Sequence, residues 1–160
     1  MRAGIAARLD AIRAHVAARL ENGRVRECHG DLHARNIVRI DGRLVAFDCM
    51  EFEPAFRWID TAEEAAFLLA DLDARGYPLH AHAFLTGFLA QSGDYGACRV
   101  LDLYKFHHAL VRAKVAALTA DNSPQPCALF DSYVAVARRA LEPKRHDRIR
   151  HWRRVCMRAR

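Results

Sequence analysis

The sequence predicts a mainly α-helical protein that carries one small β-hairpin. Over long segments, apolar residues recur at steps of three and four, which is the period of amphipathic helices. One short stretch differs, because two apolar runs, residues 37–40 and 43–47, flank the dipeptide Asp41-Gly42. An Asp-Gly dipeptide between such runs is a strong signal for a two-residue hairpin turn.

Five segments are predicted as helices. The first contains Ile5, Leu9, Ile12, Val16 and Leu20 on one apolar stripe and ends at Asn22-Gly23. The second begins near Asp60, which is expected to cap it in a capping box with Glu63, and ends at Gly76. The other three cover about residues 78–91, 100–120 and 127–141. We expect 78–91 to be a buried helix, and the fourth helix to carry a stripe of Leu101, Tyr104, His108, Val111, Val115 and Leu118.

Composition and charge indicate one globular domain with a basic tail. The chain has 160 residues, of which 52% are hydrophobic and 28% charged. Its formal charge of +6 comes from residues 143–160, and we assign residues 1–142 to the folded domain. Trp152 lies among arginines in this tail, a pattern that nucleic acids or acidic membranes can attract. A solvated C-terminus is the preferred interpretation, so we do not expect nucleic-acid binding.

Cysteine usage and hydropathy point to the cytoplasm. The five cysteines are spread along the chain without a C-x-x-C pair, as expected for reduced thiols. Cys28 and Cys49 flank the motif residues, and packing is preferred to reactivity for both. The N-terminal segment lacks the apolar centre of a signal peptide, and no membrane contact is expected.

Three polar residues around the hairpin suggest phosphoryl transfer. With a two-residue turn, Ile40 pairs with Arg43, and the ladder brings Asp48 to within one residue of Asn36. Asp31 precedes Asn36 by five positions. Carboxylate and amide oxygens are hard ligands that suit Mg²⁺, and phosphoryl transfer depends mainly on such metal ligands and on a positioned base.

The motifs resemble those of a kinase family. The stretch HGDLHARN, residues 29–36, is similar to the catalytic loop of the aminoglycoside phosphotransferase-like kinases, and FDCMEF, residues 47–52, stands where they carry a second metal-binding aspartate. Residues 23–142 resemble a bacterial branch of uncharacterised proteins in which a P-loop kinase-like domain often follows. The resemblance implies a kinase-like C-terminal lobe, Asp31 as base, Asn36 and Asp48 as Mg²⁺ ligands, ATP as donor and a small-molecule hydroxyl as acceptor.

Four further residues are expected in or near this site. We expect His29 to hold the backbone around Asp31 rather than to act as an acid or base, and His33 to lie in the site with its role open. Glu51 matches the family pattern and is close enough to contact a metal or a cationic acceptor. Asp60 resembles the family's aspartate that supports the catalytic loop, and a simple helix cap is the alternative reading.

The histidines allow two other interpretations. The G-D-L-H stretch resembles a motif of calcineurin-like phosphoesterases, but the downstream motifs of those enzymes are absent. His107 and His108 point about 100° apart on a helix, so we do not expect them to bind one ion together. Arg112 and Lys114 match the family and are expected to contact substrate or to pair with nearby carboxylates.

The sequence lacks the motifs of a nucleotide-binding lobe. No glycine-rich loop precedes residue 28, and the lysines are Lys105, Lys114 and Lys144, all beyond the catalytic loop. We therefore expect the catalytic lobe of a larger kinase, inactive or weakly active alone, whose exposed apolar surface would bind the missing lobe or a second copy. The alternative is a kinase-like protein that binds a ligand or partner without catalysis.

Overall fold

The computed structural model describes residues 2–119 and 124–142. Five helices occur in chain order: α1 (Arg2–Glu21), α2 (Thr61–Ala74), α3 (Pro78–Ser92), α4 (Leu101–Leu118) and α5 (Pro124–Leu141). Four short strands accompany them: β1 (Val25–Glu27), β2 (Ile37–Ile40), β3 (Arg43–Ala46) and β4 (Trp58–Asp60). The expected mainly α fold with a small β part is confirmed. The predicted basic tail, residues 143–160, lies outside the described residues.

The hairpin has the predicted register. Ile40 pairs with Arg43 and Ile37 with Ala46 in the antiparallel β2–β3 ladder. Asp41 and Gly42 both have positive φ angles, +49° and +77°, as a type I′ turn requires. The backbone N–H of Phe47 donates to the carbonyl of Asn36 at 3.0 Å, so the ladder extends toward the predicted site.

A second two-stranded sheet was not predicted. β1 pairs antiparallel with β4, with Val25 opposite Asp60 and Glu27 opposite Trp58. This pairing brings the segment that enters the 28–36 loop next to the segment that begins α2. The site loop is therefore attached to the helical core at its first residue.

Helix α2 lies at the centre of the helical core. Its buried face combines small and large apolar side chains, and it packs against α3, α4 and α5. The small members permit close helix approach: Ala62, Ala65, Ala66 and Ala70. Asp60 caps the helix as predicted, because its Oδ1 accepts from the Ala62 N–H at 2.8 Å. The predicted capping box with Glu63 is not seen, since the Glu63 carboxylate lies against His108 instead.

A buried arginine joins α1 to this core. Arg19 is only 7% exposed and donates two hydrogen bonds to Asp60, at 2.6 and 2.7 Å. It donates two more to Asp94, at 2.9 and 2.7 Å. Four charge-assisted bonds from one guanidinium thus fix α1 against the start of α2 and the turn after α3.

Three expectations about buried faces were wrong in part. Helix α3 is not buried all round, because only Ala81, Leu85 and Leu89 are buried on it. On α4, Leu101 and His108 of the predicted stripe are buried, whereas Val111, Val115 and Leu118 are exposed. The buried face also includes Phe106, Ala109, Ala113 and Ala116. On α1, Val16 and Leu20 are exposed. On α4, small alanines take the positions at which the helices approach closely, and the larger apolar residues lie outside the contact. None of the described helices is long and apolar enough to cross a membrane.

Candidate functional site

The site loop, residues 28–36, is attached at its start to the segment before β4. The Cys28 N–H donates to the Arg57 carbonyl at 2.7 Å, and Arg57 Nε donates back to the Cys28 carbonyl at 2.9 Å. Gly30 follows with a φ of +83°. Burial first, then the nearby Glu64 carboxylate, raises the pKa of the Cys28 thiol to about 11. Cys28 is therefore a protonated packing residue at neutral pH, in line with the expected role.

Two acidic residues of α2 hold the loop in place. Glu64 Oε2 accepts from the Gly30 N–H at 3.1 Å, and Asp71 Oδ2 accepts from the Ala34 N–H at 2.8 Å. The expected supporting residue, Asp60, bonds instead to Arg19, Tyr104 and the N-terminus of α2. Loop support was thus expected at Asp60 but is provided by Glu64 and Asp71. The sequence offered one signal, which is an acidic residue within an otherwise apolar helical run. Such a residue is buried and needs a polar partner.

Asn36 joins the two aspartates of the predicted site. It is only 6% exposed, and its Nδ2 donates to the Asp31 backbone carbonyl at 3.0 Å and to Asp31 Oδ2 at 3.3 Å. The same nitrogen lies 3.4 Å from the Asp48 carbonyl. The structure therefore brings Asp31, Asn36 and Asp48 together, as the hairpin register predicts. Since the amide nitrogen is engaged, the amide oxygen is the atom available to a cation.

Three carboxylates line one open cavity beside Asn36. Asp31, Asp48 and Glu51 surround a space of about 360 Å³, which is completed by Cys49, Met50 and Phe52. Asp48 is exposed and has a φ of +60°, a left-handed conformation that changes the direction of the backbone directly after the hairpin. Oxygen donors of this kind suit a hard divalent cation such as Mg²⁺.

His29 has the structural role that the sequence analysis favoured. Its Nδ1 accepts from the Asp31 N–H at 3.3 Å, so the proton is on Nε2, which donates to the Phe47 carbonyl at 2.7 Å. The imidazole thus connects the site loop to the end of the hairpin. Both ring nitrogens are engaged by backbone atoms, and neither is free for proton transfer.

His33 lies beneath Asp31 rather than in the open cavity. Its ring is 6% exposed, and its Nε2 lies 3.4 Å from Asp31 Oδ2. The His33 and Phe67 rings are T-shaped, with a centroid distance of 5.9 Å and an interplanar angle of 69°. The position suits a residue that orients Asp31, and a direct contact with a phosphate or acceptor is not favoured by this burial.

Asp31 is held in its charged form. Burial alone would raise its pKa, but the hydrogen bond and charge of His33, the charge of Arg112 and the hydrogen bond from Asn36 outweigh it and lower the pKa. Arg112, on α4, therefore acts on the site electrostatically, and its direct pairing with a carboxylate stays a prediction. Lys114 is exposed on the same helix.

The histidines of α4 lie closer together than expected. Donor atoms of Glu63, His107 and His108 all lie within 4.8 Å of one another. The geometric reason for expecting that His107 and His108 do not bind one ion together therefore does not hold, although binding itself is not shown. Neighbouring helical side chains diverge at Cβ, but long imidazoles can turn their nitrogens toward a common point.

Comparison with known proteins finds relatives without an assigned function. The chain is 38% identical over 99 residues to uncharacterized proteins of Mycobacterium tuberculosis, strains H37Rv and CDC 1551, and of Mycobacterium bovis. The aligned region is 62% of this chain and 20% of each relative, so the chain spans about a fifth of the length of the curated relatives it matches. No family model and no solved structure matches the chain.

Proposed function

We propose that this chain carries the catalytic site of a small-molecule phosphotransferase of the aminoglycoside phosphotransferase-like kind. The observation that supports this best is the convergence of Asp31, Asn36 and Asp48 at one end of the hairpin, beside a cavity lined by three carboxylates. Hard oxygen donors next to a charged, hydrogen-bonded aspartate are the two components that phosphoryl transfer requires from a protein.

Each residue has a distinct task in this proposal. Asp31, charged at neutral pH, orients the acceptor hydroxyl and takes its proton as that oxygen bonds to the γ-phosphorus of ATP and the bond to ADP breaks. Asp48 and the Asn36 oxygen would hold Mg²⁺, which neutralises phosphate charge, and Glu51 lies near enough to assist them. His29 and His33 position Asp31 and exchange no proton with substrate.

The proposal includes a nucleotide-binding lobe contributed by another segment or chain. Eight large apolar side chains are exposed between residues 38 and 58, on the hairpin and on the segment after it: Val38, Ile40, Leu44, Val45, Phe47, Phe52, Phe56 and Trp58. Exposed apolar groups at this density favour an interface. They also support the second candidate function, in which a kinase-like lobe binds a partner without catalysis.

Manganese binding separates these two functions. Mn²⁺ replaces Mg²⁺ at oxygen sites, and its free form is counted by electron paramagnetic resonance. We expect the wild-type chain to bind Mn²⁺ and Asp48→Asn to bind it at least about tenfold more weakly, because a charged ligand is lost without a change in shape.

Asp41→Asn is the matched control for this titration. Asp41 is an exposed aspartate with positive φ on the same hairpin, and asparagine tolerates that conformation. It should bind Mn²⁺ as the wild type does. Equal affinities of wild type and Asp48→Asn would refute the catalytic proposal and leave the partner-binding function.

A further inference from the structure

A second cluster of metal-ligating side chains lies between α2 and α4, outside the carboxylate cavity. It consists of Glu63 in the first turn of α2 and of His107 and His108 in α4. One donor atom from each lies within 4.8 Å of the others. Two imidazole nitrogens with one carboxylate oxygen form a donor set of the kind that binds Zn²⁺ in proteins.

The surroundings of His108 provide an independent observation. His108 is 7% exposed, and both of its ring nitrogens are buried without a hydrogen-bond partner among the described residues. Nε2 lies 3.5 Å from Glu63 Oε1, but the contact lacks hydrogen-bond geometry. An imidazole buried without partners is costly, and metal ligation at one nitrogen would remove part of that cost.

Packing holds the His108 ring in a fixed orientation. Phe67 stacks on it with a centroid distance of 4.2 Å and an interplanar angle of 15°. The neighbouring His107 ring stands at 76° to it, 5.0 Å away, on the exposed side of α4.

We propose that Glu63, His107 and His108 form a binding site for a borderline divalent metal ion, with Zn²⁺ as the best match. Imidazole ligands disfavour Mg²⁺ and Ca²⁺, and the absence of a thiolate from the cluster distinguishes it from soft-metal sites. The ion links α2 to α4 and leaves a fourth coordination position open toward the exposed side of His107.

Only a small movement is needed to form this site. Donors of a tetrahedral zinc site with bonds of about 2.0 Å lie about 3.3 Å apart, so no pair of donor atoms has to close by more than about 1.5 Å. The buried His108 ring can stay in place, because the Glu63 and His107 side chains are more accessible and can rotate toward it.

The proposed metal site is separate from the proposed catalytic cavity, but one aromatic side chain connects the two. Phe67 contacts both His33, which pairs with Asp31, and His108. A metal ion bound to His108 therefore fixes Phe67, the side chain against which His33 packs. The ion stabilises the base of the catalytic loop and takes no part in phosphoryl transfer.

The test is a titration of the full chain with Zn²⁺ by calorimetry and with Co²⁺ by visible absorption. We expect one tight site, with the d–d bands of nitrogen and oxygen ligation and no thiolate charge-transfer band. His107→Gln and Glu63→Gln should each weaken binding at least about tenfold, since each removes one ligand and neither residue is in the apolar core. His108 is not varied, because its stacked ring contributes to folding.

Two controls separate this site from other ligands. His80→Gln removes an exposed histidine of α3 and should bind Zn²⁺ as the wild type does. Asp48→Asn should also keep full Zn²⁺ affinity, so failure here is distinguishable from failure of the phosphotransferase proposal. The proposal is overturned if the wild type binds no Zn²⁺, if thiolate bands dominate the Co²⁺ spectrum, or if His107→Gln and Glu63→Gln bind as the wild type does.

Discussion

Asp71 shows how one buried acid connects the core to the site. Its side chain is fully buried, and it accepts hydrogen bonds from the Tyr133 hydroxyl, from Arg75 Nε at 2.8 Å and from the Ala34 N–H at 2.8 Å. Burial alone would raise the pKa of Asp71, but the hydrogen bonds from Tyr133, Arg75 and Ala34 outweigh it and lower the pKa. Helix α5, helix α2 and the site loop therefore meet at one carboxylate.

This lowered pKa predicts a specific pH dependence of stability. A carboxyl whose pKa is lower in the folded state stabilises the fold at pH values above its unfolded pKa, and the contribution is lost as the pH falls through the folded value. Asp71→Asn should lower the free energy of unfolding at neutral pH by about 3 kcal/mol, because it leaves the partly buried Arg75 charge without its partner. Below about pH 4, the free energy of unfolding of Asp71→Asn should also fall less steeply than that of the wild type.

Urea unfolding at a series of pH values measures both effects. Asp31 and Asp94 also have lowered pKa values and contribute to the wild-type decline, so the comparison with the variant isolates Asp71. Asp10→Asn, at an exposed position of α1, serves as the control and should follow the wild-type curve. An Asp71→Asn curve parallel to that of the wild type would rule out this role.

The role of a residue could be predicted where the group that it contacts is set by local sequence. Asn36 and Asp48 were placed correctly because hairpin register is a local property, and His29 because one of its two bonds, from the Asp31 N–H, lies within its own loop. Glu64 and Asp71 were missed because their partners lie about 35 positions away. Sequence periodicity marks a buried face but does not say which distant N–H groups reach it.

At the level of the loop, Gly30 is the most constrained backbone position. A Cβ at this residue would lie 3.1 Å from the Met50 Cβ and 3.1 Å from the Phe56 carbonyl oxygen, and φ is +83°. The site loop therefore passes directly over the segment that follows the hairpin. This close approach helps to bring Asp31 near Asp48.

Substitution of Gly30 tests this constraint. Gly30→Ala should destabilise the protein by about 2 kcal/mol more than Gly76→Ala and should weaken Mn²⁺ binding. Gly76 has a nearly identical φ of +80° but no atom within 4 Å of an added Cβ, so the two variants share the backbone strain and differ in the clash. Thermal unfolding and Mn²⁺ titration provide the measurements. Equal losses in the two variants would mean that the close approach is unimportant.

Elements with a local signal were predicted and those with a distant partner were not. All five helices and the Asp41-Gly42 hairpin follow from periodicity, caps and turn residues. Strands β1 and β4 have three residues each and pair across about 30 positions, too short for a periodic pattern. The second half of the stripe on α4 was misassigned because hydrophobicity favoured valines, whereas close packing against α2 and α5 selected alanines.

At the scale of the whole molecule, the helical core and the site region differ in exposure. The core of α2, α3, α4 and α5 is well buried, while the segment from residue 38 to residue 58 exposes large apolar side chains next to the carboxylate cavity. A surface of this kind fits a lobe or second copy that would close over the cavity. The partner lobe thus remains a prediction. It would cover the face on which a nucleotide would bind.

The central claim is that Asp31, Asn36 and Asp48 hold one divalent cation at the end of the hairpin. Its most direct test is paramagnetic line broadening by Mn²⁺ in the amide spectrum of the isotope-labelled chain. We expect the broadening of amide signals to centre on Asp31, Asp48 and Glu51 and to spare the hairpin tip at Gly42. The broadening should disappear in Asp48→Asn. Broadening that centres elsewhere, or that persists at these amides in Asp48→Asn, would contradict it.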